Sequence, residues 1–156
     1  MGTVNSTMYN HIDDVLITPL KKINTPGGDV LHAMKSSDLG YVNFGEAYFS
    51  TVEQDSIKGW KRHHDMTLNL VVPVGVVRFV IYDDRENSNT IQKFQEIIIS
   101  KEINYCRLTV PPMVWLGFQG MGGVTSTILN IADIEHSAEE VDRKNLEEIK
   151  FNWRKK

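Results

Sequence analysis

The sequence predicts an all-β domain, closed into a barrel or a sandwich. Many short runs rich in β-branched and aromatic residues are separated by turn signals, which is typical of these architectures. Residues 26–28 and 120–123 supply the glycine- and proline-rich turns. Only residues 138–150 have the composition of a helix, with Ser137 as the expected N-cap. The sequence therefore predicts strands almost throughout and one short C-terminal helix.

The predicted strands follow one another along the chain. Residues 13–20 favour a short strand ending at Pro19, because proline is disfavoured inside a sheet, and residues 28–34 fit either a strand or a helix. The other predicted strands are residues 44–51, 56–64, 68–75, 76–82, 94–100, 105–110, 115–118 and 126–132. Gly75 separates two of these runs and indicates a tight connection between strands.

Length and composition restrict the class of protein. The chain has 156 residues, enough for one domain (1–156) with a buried core, and residues 1–12 are expected to form a loose arm. The single cysteine, Cys106, excludes an internal disulfide. No apolar signal segment or membrane-length run is visible, so we expect a cytoplasmic protein with no membrane partner. A net charge of −3 without a basic cluster argues against nucleic-acid binding.

Residues 56–64 differ from an ordinary half-buried strand, because polar and aromatic side chains occur at both parities. Side chains alternate along an extended chain, so Lys61 and His63 are predicted to share one face. The opposite face would carry Lys58, Trp60, Arg62 and His64. This basic strand is the most unusual chemical feature of the sequence.

The pattern resembles the RmlC-type cupins, a group of sugar-nucleotide epimerases and ketoisomerases. The family's R-G-x-H and R-G-x-H-x-H strand is matched by KGWKRH at residues 58–63. Its V-x-G-x-V, D-D/D-x-R and I-P-P-G-x-x-H-G-F motifs resemble residues 74–77, 83–85 and 110–118. Its C-terminal motifs resemble residues 133–140 and 148–153.

The resemblance implies a cupin jelly-roll barrel, a homodimer, and a 4-keto-6-deoxy sugar nucleotide as substrate. It further implies a role in surface polysaccharide biosynthesis, with no metal and no organic cofactor. A base would remove a proton next to the ketone while a cation or an acid holds the enolate. His63 is predicted to be that base, since imidazole titrates near neutral pH. Lys61 is predicted to stabilise the enolate or to share the proton transfer.

Further residues are predicted to bind the substrate. Lys58 stands at the position of the family arginine that contacts the diphosphate, where a lysine offers a point charge. The other predicted contacts are Arg62, Trp60, Asn130 and Gln119. Each has a structural alternative: a solvated basic edge for Arg62, the core for Trp60, and backbone hydrogen bonding for the two amides.

Three positions depart from the family motifs and leave alternatives open. Lys61 replaces the first histidine, Leu116 replaces the histidine of the proline-rich motif, and Asn130 replaces the tyrosine expected on a later strand. A catalytically degenerate cupin that binds a sugar nucleotide or a partner enzyme is therefore the competing hypothesis. A metal-dependent cupin is disfavoured, because the adjacent His63 and His64 face opposite sides of a strand.

Overall fold

The computed structural model of the protein describes residues 11–154, which contain twelve strands and two short 3-10 helices. The strands are β1 (Leu16–Pro19), β2 (Lys22–Thr25), β3 (Gly28–Leu31), β4 (Glu46–Val52), β5 (Ile57–His63), β6 (Leu68–Val74), β7 (Val76–Tyr82), β8 (Phe94–Ser100), β9 (Cys106–Val110), β10 (Trp115–Gly120), β11 (Ser126–Ala132) and β12 (Val141–Arg143). The 3-10 helices are Ala138–Glu140 and Leu146–Glu148. No helix among the described residues is long and apolar enough to span a membrane.

Ten of the strands form two five-stranded antiparallel sheets. The first sheet has the order β1-β9-β6-β11-β4, and the second has the order β12-β5-β10-β7-β8. Strands β2 and β3 form a separate hairpin. The facing sides of the two sheets bury a continuous apolar core that includes Val72, Phe79, Leu108 and Ile128. The all-β prediction is thus confirmed as a sandwich of two sheets.

A second apolar cluster covers the outer side of the second sheet. Trp60 and Trp115 pack there with the C-terminal residues Ile149 and Trp153, and the ring centroids of Trp60 and Trp153 lie 5.4 Å apart. Strand β5 therefore has protein on both sides, which explains why its sequence does not alternate simply between apolar and polar residues.

The predicted C-terminal helix over residues 138–150 is not formed. The segment instead contains strand β12 between the two 3-10 helices. Val141, Asp142 and Arg143 pair with His63, Arg62 and Lys61 along the edge of β5. This pairing satisfies backbone groups that an uncovered edge would leave without partners, and it outweighs the intrinsic helix propensity of the segment.

Most strand predictions are confirmed, and three of them have the predicted bounds: β7, β8 and β11. The ambiguous residues 28–34 include strand β3, and β2 was not predicted. Residues 1–10 of the expected arm lie outside the described part of the chain. The prediction is wrong for Ile12, which is completely buried and whose backbone N–H donates to Gln95 Oε1 at 2.8 Å.

The connection at Gly75 passes from one sheet to the other, since β6 belongs to the first sheet and β7 to the second. Gly75 has a φ of 87°, and a Cβ atom there would lie 2.1 Å from Ser126 Oγ. Only glycine fits this corner without strain. The predicted tight connection is confirmed, and at this corner the chain passes directly from one sheet to the sheet that faces it.

Candidate active site

A cavity of about 690 Å³ opens between the two sheets. Strands β4 and β11 of the first sheet form one wall, and β5 and β10 of the second sheet form the other. Arg143 at the end of β12 and, after it, residues 144, 145 and 148 border the same space. The cavity therefore collects residues from distant parts of the sequence.

His63 and Glu140 form a buried pair at this cavity. The Nδ1 atom of His63 is hydrogen-bonded to Oε1 of Glu140, and Oε2 of Glu140 accepts the backbone N–H groups of Asp65 and Met66, each at 3.2 Å. Burial raises the pKa of Glu140, but the hydrogen bonds with His63 and with the Asp65 and Met66 amides outweigh burial and hold that pKa below its ordinary value. Glu140 is thus an ionised acceptor, so Nδ1 of His63 carries the hydrogen of this bond and Nε2 is the other ring nitrogen.

Lys61 lines the cavity together with His63, as the predicted alternation of β5 requires. Desolvation lowers the pKa of Lys61, and the positive charges of Arg143 and Lys58 lower it further. Arg143 is directly opposite Lys61 in the pairing of β12 with β5. The ammonium group of Lys61 therefore exchanges its proton more readily than that of an ordinary lysine.

The cationic side chains of Lys58, Lys61 and Arg143 border the cavity and are here named the basic rim. Lys144 also borders it, but its Nζ atom lies 4.9 Å from the centre of the Trp115 ring, on the outer side of the sheet. The prediction that Lys58 lies on the face opposite Lys61 is wrong, because β5 has one residue more than β10 between the pairs Lys61–Leu116 and Lys58–Phe118, which reverses the alternation. The Nζ atom of Lys58 donates to the backbone oxygen of Thr51 at 2.9 Å, which leaves donor capacity for a ligand. Arg143 was not among the predicted site residues, because a helix was predicted where β12 covers the edge of β5.

The opposite wall is polar where β4 and β11 lie side by side. Asn130 shares a face of β11 with the core residues Ile128 and Ala132, and Tyr48 is its direct partner on β4. Asn130 Oδ1 accepts the backbone N–H of Asn69 at 3.1 Å, and Asn130 Nδ2 donates to the Tyr48 hydroxyl at 3.0 Å. Asn130 was among the predicted site residues. Tyr48 was not, although it lies in the predicted strand over residues 44–51.

Arg62 lies apart from the cavity, on the other face of β5. Its guanidinium pairs with Asp84 at 3.3 Å and with Asp142 at 2.7 Å, and it stands 4.7 Å from the centre of the Trp115 ring. His64, also predicted on that face, pairs with Asp142 at 2.9 Å. Arg62 thus ties β5, β10 and β12 together, and the structure does not bring it to the cavity.

The side chains of Gln119 and Trp60 are also held by hydrogen bonds to other protein groups. The side chain of Gln119 is buried away from the cavity and accepts a hydrogen bond from Arg78 Nη1 at 3.2 Å. Trp60 borders the cavity but is only 1% exposed, and its Nε1 donates to the backbone oxygen of Leu146 at 3.1 Å. A ring held in this way offers little free face for stacking on a nucleobase.

The chain resembles known proteins both in sequence and in structure. No protein-family model matches the chain. The crystal structure of a dTDP sugar isomerase from Desulfovibrio desulfuricans G20 is 35% identical, with a TM-score of 0.88 and 92% of each chain covered. The spore coat polysaccharide biosynthesis protein SpsL of Bacillus subtilis is 26% identical over 146 residues, which are 91% of this chain and 96% of SpsL. The probable low-salt glycan biosynthesis epimerase Agl13 of Haloferax volcanii is 25% identical over 138 residues, with 87% and 88% covered.

Proposed function

The chain belongs to the RmlC-like family of dTDP-sugar isomerases and epimerases, and we propose that it isomerises a 4-keto-6-deoxy sugar nucleotide. The observation that carries this proposal is the His63–Glu140 pair in the wall of a cavity with a basic rim. The cavity volume of about 690 Å³ suits a small-molecule ligand. The two five-stranded sheets support the finer assignment, a cupin jelly roll.

In the proposed reaction His63 is the general base. Its Nε2 atom takes a proton from a carbon next to the C4 ketone, and the bonding electrons move to the ketone oxygen to form an enolate. Glu140 stabilises the imidazolium that results, as a carboxylate does when it accepts the Nδ1 hydrogen. Lys61 stabilises the enolate oxygen or shares the proton transfer, because it lines the same cavity as His63.

The basic rim supports a substrate that carries phosphate groups. Lys58 and Arg143 supply positive charge at the cavity, and Arg143 adds a guanidinium that can bind phosphate through two parallel hydrogen bonds. We therefore propose that these residues contact the nucleotide diphosphate. The polysaccharide and glycan relatives support a role in surface polysaccharide biosynthesis. A homodimer, as the resemblance implies, and a cytoplasmic location complete the proposal.

One observation favours a second candidate function. Leu116 lines the cavity at the position of a family histidine, and a leucine side chain cannot transfer a proton. The alternative is a protein that binds a sugar nucleotide, or a partner enzyme, without turning the sugar over.

Proton exchange distinguishes the two candidates. We would incubate the protein with dTDP-4-keto-6-deoxyglucose in deuterated water and follow the C3 and C5 protons by NMR. The proposal expects deuterium uptake that His63→Asn abolishes and that His64→Asn, a change outside the cavity, leaves intact. Saturable binding of the nucleotide without exchange would support the binding protein. The absence of both exchange and binding would contradict a sugar-nucleotide ligand.

A further inference from the structure

The cross-strand pair Tyr48 and Asn130 has a defined hydrogen-bond direction. The backbone N–H of Asn69 can only donate, so the atom of Asn130 that lies 3.1 Å from it must be the amide oxygen. The NH₂ group of Asn130 consequently faces the Tyr48 hydroxyl, 3.0 Å away. The orientation of this amide is thus fixed by a main-chain donor, which settles the usual ambiguity of amide flips.

The Tyr48 hydroxyl oxygen is therefore an acceptor in this contact, and its own hydrogen remains available. Tyr48 is 40% exposed and lines the cavity, and within residues 11–154 its hydroxyl has no second hydrogen-bond partner. The free O–H can donate to a molecule in the cavity. After a donation, the NH₂ group of Asn130 would stabilise the phenolate that remains.

Tyr48 and His63 stand on opposite walls. Tyr48 belongs to β4 of the first sheet, His63 belongs to β5 of the second sheet, and the cavity lies between them. A sugar ring bound between these walls would have one face toward the imidazole and the other toward the phenol. A proton removed on one side and returned on the other inverts the configuration of the carbon.

We propose that Tyr48 donates the proton to the face of the sugar opposite His63, that Asn130 positions its hydroxyl, and that the reaction is an epimerisation. This inference rests on the proposed function and deepens it. The carbon loses a proton to His63 Nε2 and becomes part of the enolate. The enolate carbon then takes the Tyr48 proton, so a C–H bond forms as the O–H bond breaks. The phenolate regains a proton from water, the imidazolium releases one to water, and no oxidant or reductant is needed.

The test separates proton removal from inversion. In deuterated water, with dTDP-4-keto-6-deoxyglucose, we would measure both deuterium uptake into unreacted substrate and formation of the inverted product. Tyr48→Phe should lower product formation by about 100-fold or more, because a general acid typically contributes 10²–10⁴-fold. Deuterium uptake should stay near that of the unaltered protein, since His63 still removes the proton and returns deuterium to the same face. Tyr41→Phe, which removes a hydroxyl outside the cavity, should leave both measurements unchanged.

Two further variants test the role of Asn130. Asn130→Asp keeps an oxygen for the Asn69 N–H but replaces the NH₂ donor by an acceptor, so the Tyr48 hydroxyl would turn toward it. Product formation should fall while deuterium uptake persists. The combined exchange Tyr48→Asn with Asn130→Tyr keeps a phenol on the same wall, because the two residues are directly opposite each other in the sheet. It should recover at least part of the product formation that Tyr48→Phe loses.

Each other outcome overturns the inference in a distinct way. Normal product formation by Tyr48→Phe would exclude Tyr48 as the donor. Equal loss of uptake and product, with unchanged dTDP binding, would assign Tyr48 to proton removal. Uptake by the unaltered protein with a product altered by 3,4-ketoisomerisation would exclude epimerisation while the proposed function stands. No uptake at all by the unaltered protein would remove the proposed function and this inference together.

Discussion

His63 is hydrogen-bonded through Nδ1 to Oε1 of Glu140, a residue 77 positions later in the chain. The same carboxylate holds two backbone amides through its other oxygen, so it cannot turn away from the imidazole. The pair therefore presents one defined nitrogen of His63 to the cavity.

We expect Glu140→Gln to lower kcat on the sugar nucleotide by about 10²–10⁴-fold, the range of general acid–base catalysis. A neutral amide stabilises an imidazolium poorly, and its NH₂ group conflicts with either the imidazole N–H or the two backbone donors. Steady-state kinetics would measure the loss. Glu139→Gln is the matched control, because Glu139 is the exposed neighbour. An unchanged kcat in Glu140→Gln would contradict the role assigned to the pair.

Lys61 should be an unusually reactive amine. Desolvation and the charges of Arg143 and Lys58 lower its pKa, so at a given pH below the ordinary lysine range a larger fraction is neutral and nucleophilic. Brief reductive methylation at pH 8, followed by peptide mass spectrometry, should label Lys61 before the exposed Lys93. Bound dTDP should slow the labelling of Lys61 and leave that of Lys93 unchanged. Labelling of Lys61 only after Lys93 would show that its ammonium is not destabilised.

Asp83 should stabilise the fold in a pH-dependent way. It is completely buried and accepts hydrogen bonds from Arg85, Ser88 and Thr90. Burial alone would raise the pKa of Asp83, but these hydrogen bonds hold it well below its ordinary value of 3.8. The stabilisation of the fold by ionised Asp83 is therefore fully present when the pH is above 3.8. It is lost as the pH falls toward the lower pKa that Asp83 has in the folded protein.

Asp83→Asn should accordingly lower the free energy of unfolding at pH 7 by about 1.5–3 kcal/mol, the magnitude of hydrogen bonds to charged groups. Urea denaturation at pH 7 and at successively lower pH values would test this. The difference between the two proteins should shrink in acid. Asp29→Asn, at an exposed position, should have little effect at any pH. A difference that stays constant down to the acid range would refute the ionic origin.

Gly75→Ala should destabilise the corner between the two sheets. The added Cβ would overlap Ser126 Oγ, and the φ of 87° strains any residue with a side chain. We expect a loss of about 1–3 kcal/mol, as for overpacking, measured by thermal or urea unfolding. Gly123→Ala is the control, because no atom lies within 4 Å of its Cβ position. An equal free energy of unfolding for Gly75→Ala and Gly123→Ala would contradict the prediction, because the backbone at Gly75 would then accept a Cβ atom without strain.

The sequence by itself determined the strands and the chemistry of β5. Short runs of β-branched and apolar residues bounded by turn signals predicted β7, β8 and β11 with their bounds. Side-chain alternation along β5 placed Lys61 and His63 on one face, where both line the cavity. These features depend on neighbours in the chain, so local sequence is sufficient to predict them.

Tertiary structure alone decided which segment pairs with the edge of β5. Residues 138–150 have a helical composition, yet Val141–Arg143 pair as a strand with the edge of β5. This pairing brings Glu140 to His63 and Arg143 to Lys61. Pairing of β4 with β11 likewise brings Tyr48 to Asn130, 82 residues away. Gly75 sends the chain from one sheet to the other and so creates two walls. Such contacts arise from backbone pairing between distant segments, whose free energy outweighs local propensity and leaves no periodic trace in the sequence.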